Sequence, residues 1–425
     1  MKEELLQFIW QHKLLKPLPL ISVSGKEIKV LLPGELNPDS GPDFFNARIA
    51  LDNLVLAGNI EVHVNSSDWL RHKHQKDKAY DNIILHVVYK HDKHLEQNGR
   101  FNVEVLELEK LISEETLNTY NQLLRSKQEL PCQNQLPFCD ELKFTLWLDR
   151  VLVERIEHKA ALIHSLYTSL GGNYTQTFFT LLLRAFGLKV NASAFELLGR
   201  HLPVHLLLRH ANDLKQCEAL LLGMAGLLDE PLTEKYPREL QNEFEFLKQK
   251  YRLLPLDKKL LKYSRMRPAN FPDRRLSQFA SLVNQHPNFI QAPHEFRSGE
   301  DLKKVFDFEV SEYWQSHFRL GLAAEQSKGS PGITAVESIL INTVVPFLFL
   351  YSLRLDKPEY KEQAMRLLDV CKFENNRKTR LFSAKKEILV TAANSQACIQ
   401  LFDAYCSKKR CLNCGIAAAL LKAGG

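Results

Sequence analysis

Near residue 110 the apolar pattern of this 425-residue chain changes period, which limits it to a fold in two differently built parts. Before that point, β-like runs at Glu27–Leu32, Phe44–Leu51, 54–64, 82–89 and 101–108 are separated by turn signals such as Asp52-Asn53 and Asn98-Gly99. Residues 1–10 read as an amphipathic helix. The polar stretch 68–80 reads as a short helix, with Ser66, Ser67 or Asp68 as its N-cap. Beyond residue 140 the spacing becomes helical, over 142–170, 173–188, 192–208, 214–228, 238–253 and 276–285, with Gly171-Gly172, Pro203, Pro231, Pro255 and Pro268 as punctuation. The expected class is α+β: a mixed sheet with flanking helices over 1–110, a connecting segment over 111–140, and a large all-α domain over 141–425 carrying a cysteine-containing tail.

A chain of this length exceeds one ordinary core, and its 45 % hydrophobic and 25 % charged residues are those of a soluble globular protein. The opening residues hold Glu3 and Glu4 and lack an apolar signal core, so a cytoplasmic location is expected. The most apolar stretch, 338–353, is short and contains Asn342 and Pro346; a helix in a large core is expected there, and no membrane partner. Eight cysteines in such a compartment point to free thiols or a metal, not to structural disulfides. The net charge of +6 is compatible with a polyanionic partner and does not demand one.

The chemistry concentrates in 41–64. Side chains alternate along a strand, so Glu61 and His63 share one face while Val62 and Val64 take the other. A tight turn at Asp52-Asn53 folds the two runs antiparallel and carries Asp43, at the head of the first, towards Glu61 and His63. Converging carboxylates repel unless a cation neutralises them. Mg²⁺ characteristically takes one or two carboxylates together with water and phosphate oxygens, and Mg²⁺ or Mn²⁺ is the expected cofactor. Such an ion lowers the pKa of bound water, and His63, with an ordinary pKa near working pH, would orient or deprotonate that water. The structural alternative is a turn aspartate beside a cross-strand polar pair.

The order helix, three strands, helix, strand, with Pro42-Asp43 on one strand and Glu61-Val62-His63 on the next, resembles the PD-(D/E)xK nuclease-like superfamily over 1–108. That resemblance implies a metal-dependent nuclease acting on nucleic acid phosphodiesters, with Asp43 and Glu61 as metal ligands, His63 where the family carries lysine, and Glu4 or Glu35 as the additional upstream acid. The alternative is a non-catalytic scaffold on the same fold that binds nucleic acid or protein. As a whole the chain resembles the bacterial family called domain of unknown function 2851, through Gly41-Pro42-Asp43-Phe44-Phe45-Asn46-Ala47, 58–63, Asp68-Trp69 with His72 and His74, Leu85-His86-Val87-Val88, and the cysteine-bearing tail.

Three further groups remain. His72 and His74 are two residues apart, which on a helix places them on different sides, and His86 in an apolar strand reads as a core histidine. Cys411-x2-Cys414 with Cys406 and Cys398, or Cys371, reads either as a structural zinc or iron-sulfur site or as buried thiols. Arg71 and Lys73 beside the hairpin, and Lys262, Arg265, Arg267, Arg274 and Arg275 around Tyr263, suit a groove that tracks a nucleic acid backbone; a solvated charged face is the alternative.

Overall fold

The computed structural model describes residues 1–94, 103–296, 298–323 and 329–423. The turn expected at Asn98-Gly99, and Phe101 and Asn102 of the run expected at 101–108, lie outside them. The chain is α+β, an N-terminal mixed sheet followed by a helical region. Two compact units emerge: one from Met1–Leu148, Arg380–Lys385 and Ile399–Gly425, the other from Asp149–Thr379 and Lys386–Cys398. This division departs from one drawn at 110 and 140, because the end of the chain returns to the unit in which it began.

In the first unit, helix α1 (Glu3–Gln11) buries Leu5, Leu6, Phe8, Ile9 and Trp10. The strands are β1 (Leu20–Ile21), β2 (Glu27–Leu32), β3 (Glu35–Leu36), β4 (Phe44–Leu51), β5 (Leu54–Asn65), β6 (Ile83–Lys90) and β7 (Glu104–Glu107). They lie in the order β1-β2-β4-β5-β6-β7, with β3 paired to β4. β4 and β5 form the expected antiparallel hairpin, with Leu51 opposite Leu54 across a turn in which Asp52 takes a φ of 50°. Aspartate tolerates that left-handed conformation better than most residues. β6 and β7 then join parallel to their neighbours. The Val23 N–H donates to the Val105 carbonyl at 2.8 Å and Lys26 pairs with Glu104 at 2.6 Å, so the two edges nearly close the sheet on itself.

Alternation along β5 sorts its two faces. Ile60 and Val62 join an apolar core with Trp10, Phe44, Leu85, Val87 and Leu421. Glu61 and His63 take the opposite face and are buried as well. The stretch 68–80 is helical only over α2 (Asp68–Arg71); it continues as two single 3₁₀ turns, His74–Lys76 and Lys78–Tyr80. Between α2 and the first of these turns, Lys73 takes a φ of 63°, which ends the α-helix.

The second unit is built on helices such as Tyr174–Phe186, Leu188–His201, Leu214–Met224, Lys235–Tyr251 and Pro272–Gln285. Asn173 and Asp213 cap two of them by accepting from the Gln176 and Gln216 N–H groups. Phe178, Phe179, Phe186, Phe279 and Phe289 interlock in the core, mostly edge to face. The apolar stretch lies within the helix Ile333–Leu355, which is long and apolar enough to cross a membrane and whose most apolar 18-residue window is 72 % buried inside the protein. A π-turn at Leu340–Val344 interrupts it just before Pro346.

Candidate functional site

The hairpin register sets Phe44 opposite Ile60, which brings Asp43 beside Glu61. The Asp43 N–H donates to Glu61 Oε2 at 3.1 Å, and the Val62 N–H donates to Asp43 Oδ2 at 2.9 Å. Gln7 of α1 donates to Asp43 Oδ1 at 2.9 Å. Burial first, and then the Glu61 carboxylate, push the Asp43 carboxyl up to about 7, against the pull of its hydrogen bonds from Val62 and Gln7.

Around Glu61 the other donors are imidazoles. Its Oε1 lies 3.4 Å from His63 Nε2 and 3.3 Å from His74 Nε2. His63 Nε2 is also 3.1 Å from His72 Nδ1, and its other nitrogen, Nδ1, is 2.9 Å from His86 Nε2. Ligand atoms of His63, His72 and His74 all lie within 4.8 Å of one another. Tyr80 stacks on His74 with ring centroids 3.8 Å apart, and Trp69 stands edge-on to His74 and tilted against His86. Glu3, one turn before Gln7 on α1, brings Oε1 to 3.9 Å from His63 Nε2, and burial with Glu61 and Asp68 nearby pushes its carboxyl pKa up.

Burial, followed by the neighbouring histidines, pushes His63 down to about 2, and burial pushes His86 down to about 3. A ring so held is neutral at physiological pH, a poor proton acceptor but an intact lone-pair donor. His63 is thus suited to ligating or orienting.

Asp43, Glu61 and His63 come together as the sequence predicts. Glu35 does not join them: it stands exposed on β3, and the acid that reaches the cluster from upstream is Glu3. His72 and His74 do share a side, contrary to their helical spacing, because the left-handed Lys73 between them turns the chain. Their sequence signal was density, four of the chain's 15 histidines falling between 63 and 86. Gln7 and Glu3 carried no local signal, since only packing of α1 places them here.

At the rim, Arg71 and Lys73 are exposed, and Arg71 pairs with Asp68 at 3.0 Å. Lys262, Arg265 and Arg267 are exposed in the second unit. Arg274 and Arg275 are buried there at 1 % and 7 % exposure, with Arg275 donating to Gln278 and Asn270, so they offer no surface to a polyanion and the expected groove loses both. Cys406, Cys411 and Cys414 are buried in the first unit, while Cys398 is buried in the second. Among the described residues the three tail sulfurs are not all within 4.8 Å of one another. Burial pushes the Cys414 thiol up to about 11 and Cys398 to about 12, which leaves them protonated.

A family model described as "Protein of unknown function (DUF2851)" matches residues 3–377. No curated protein and no solved structure matches the chain.

Proposed function

The chain belongs to the DUF2851 family, and we propose, from the chemistry of its site, that it is a divalent-cation-dependent hydrolase of nucleic acid phosphodiesters. The observation that carries this reading is the convergence of Asp43, Glu61 and His63 at one end of the β4–β5 hairpin, with a half-buried and a buried acid pressed together.

The donors fit a divalent cation. Each Asp43 oxygen accepts one hydrogen bond and keeps a lone pair, and both the burial and the Glu61 charge that raise its pKa disfavour an unpaired carboxylate, which a cation would offset. Mg²⁺ or Mn²⁺ would lie on Asp43 and Glu61, and there it would offset charge on the phosphate and acidify water. Gln7 and the Val62 N–H orient Asp43, the Asp43 N–H orients Glu61, and His86 fixes the ring of His63. Arg71 and Lys73 supply exposed cations for backbone phosphates. In the reaction the water oxygen forms a bond to phosphorus and releases a proton to solvent, the ester P–O bond breaks, and the leaving oxygen takes up a proton from solvent.

The test is incubation of the purified full chain with single- and double-stranded DNA and RNA in Mg²⁺ or Mn²⁺. Cleavage is expected, falling by at least about 100-fold in Asp43→Asn and Glu61→Gln, as for lost electrostatic groups at a reacting centre. Absence of cleavage with either ion, or cleavage unchanged in both variants, would overturn the reading. Salt-sensitive binding without turnover that survives both substitutions would select the non-catalytic scaffold instead.

A further inference from the structure

We propose that His63, His72 and His74, together with Glu61, form a binding site for a borderline first-row transition ion of the zinc class. The inference goes beyond the hydrolase reading. It names a different ligand set and a different class of metal, shares Glu61 and His63 with that reading, and does not depend on phosphodiester chemistry.

The argument is first one of spacing. A tetrahedral zinc with bonds of about 2.0–2.1 Å separates its ligand atoms by about 3.3 Å. His63 Nε2 and His72 Nδ1 are 3.1 Å apart, His63 Nε2 and Glu61 Oε1 3.4 Å, and His74 Nε2 and Glu61 Oε1 3.3 Å. Three edges of the required polyhedron are therefore in place. The His72 and His74 rings have centroids 5.4 Å apart, and ligand atoms of all three histidines lie within 4.8 Å of one another.

A second, independent observation points to a ligand. His74 Nε2 is buried and has no hydrogen-bond partner, although Glu61 Oε1 lies 3.3 Å away in a direction that makes none. A buried nitrogen left in this way is costly unless something binds it. His74 is also held in place, stacked on Tyr80 and edge-on to Trp69.

The outer layer is that of a metal site. For His63 Nε2 to give its lone pair to an ion, its Nδ1 must carry the proton, and His86 Nε2 at 2.9 Å is there to accept it. The donor set then decides the class. Three imidazole nitrogens and one carboxylate oxygen suit Zn²⁺ and its neighbours, whereas Mg²⁺ seeks an all-oxygen octahedron.

The experiment is titration of the metal-free full chain with Co²⁺, followed by competition with Zn²⁺ and with excess Mg²⁺. Visible ligand-field bands without thiolate charge transfer are expected, abolished by equimolar Zn²⁺ and untouched by Mg²⁺. His72→Ala and His74→Ala should each weaken zinc by more than about 100-fold, beyond the 10–100-fold cost of losing an outer-layer partner. Anomalous scattering at the zinc edge in wild-type crystals should place the ion between Glu61 and His74, a readout that stands even if a variant fails to fold. Absence of Co²⁺ bands, zinc affinity unchanged in both variants, or an ion at the cysteines alone would overturn the proposal. Metal binding without cleavage would defeat only the hydrolase reading, and Mg²⁺-dependent cleavage without zinc binding only this one.

Discussion

Burial decides what the ionisable residues of this chain can do, and Glu218 shows it away from the candidate site. Its fully buried carboxyl accepts from Tyr236 at 2.8 Å, Trp314 at 3.1 Å and Ser311 at 3.0 Å. Desolvation outweighs these bonds and pushes its pKa up to about 7, from an ordinary 4.5. Because the folded-state value is the higher one, the folded protein binds the extra proton. The associated stability is complete below pH 4.5 and is lost as pH rises through 7. Glu218→Gln keeps the shape and removes the proton, so the wild-type-minus-variant difference in unfolding free energy should change by about 3 kcal/mol across that interval. Denaturant melts at a series of pH values read this, and a flat difference would refute it. At the same scale, Asp43 and Glu61 were legible in the sequence because a short turn fixes which ends of a hairpin meet. The setting of His63 was less legible, since the burial and then the His86, His74 and His72 rings that push its pKa down are brought together only by the fold.

Between residues and the whole lies the turn at Lys73, on which the histidine cluster depends. A helix continued through 68–80 would hold His72 and His74 apart; the structure ends it at Arg71, and Lys73 takes the left-handed region instead. That conformation costs an L residue about 1–2 kcal/mol and a glycine nearly nothing. Lys73→Gly should therefore raise the melting temperature or leave it unchanged and keep zinc affinity within about threefold, much less than the effect of losing a ligand. Lys73→Val, whose branched Cβ fits this region worst, should lower stability by about 1–2 kcal/mol and weaken the metal by displacing His74. Equal behaviour of the two variants in thermal melts and cobalt titration would show that the turn does not hold the site. The strands were readable because alternation is a local signal, and β4 and β5 begin where their apolar runs begin. A single left-handed lysine has no such signal, lysine being an ordinary helix residue.

At the scale of the whole chain, the sheet unit is not a contiguous stretch of sequence. Residues Ile399–Gly425 belong to it, and the helix Gly415–Ala423 sends Leu421, fully buried, into the same core as Trp10, Phe44, Ile60 and Val62. Gly415 is required there because a Cβ would come within 2.5 Å of the Trp147 ring. No local pattern announces this return: 415–423 reads as one more apolar helix after many, and only long-range packing assigns it to the sheet. The consequence is that Val62, the residue between Glu61 and His63, rests on a core completed by the last turns of the chain. Leu421→Ala removes a buried side chain from that core and should cost about 2–5 kcal/mol, the range for a leucine truncation that leaves a cavity. The loss should appear in the sheet itself, as faster amide hydrogen exchange along β5 and β6, although the substitution lies more than 300 residues away in sequence. Protection in β5 unchanged from wild type, with exchange accelerated only in the C-terminal helix, would mean that the tail rests on the sheet without supporting it. The geometry of Glu61 and His63 would then be independent of the end of the chain.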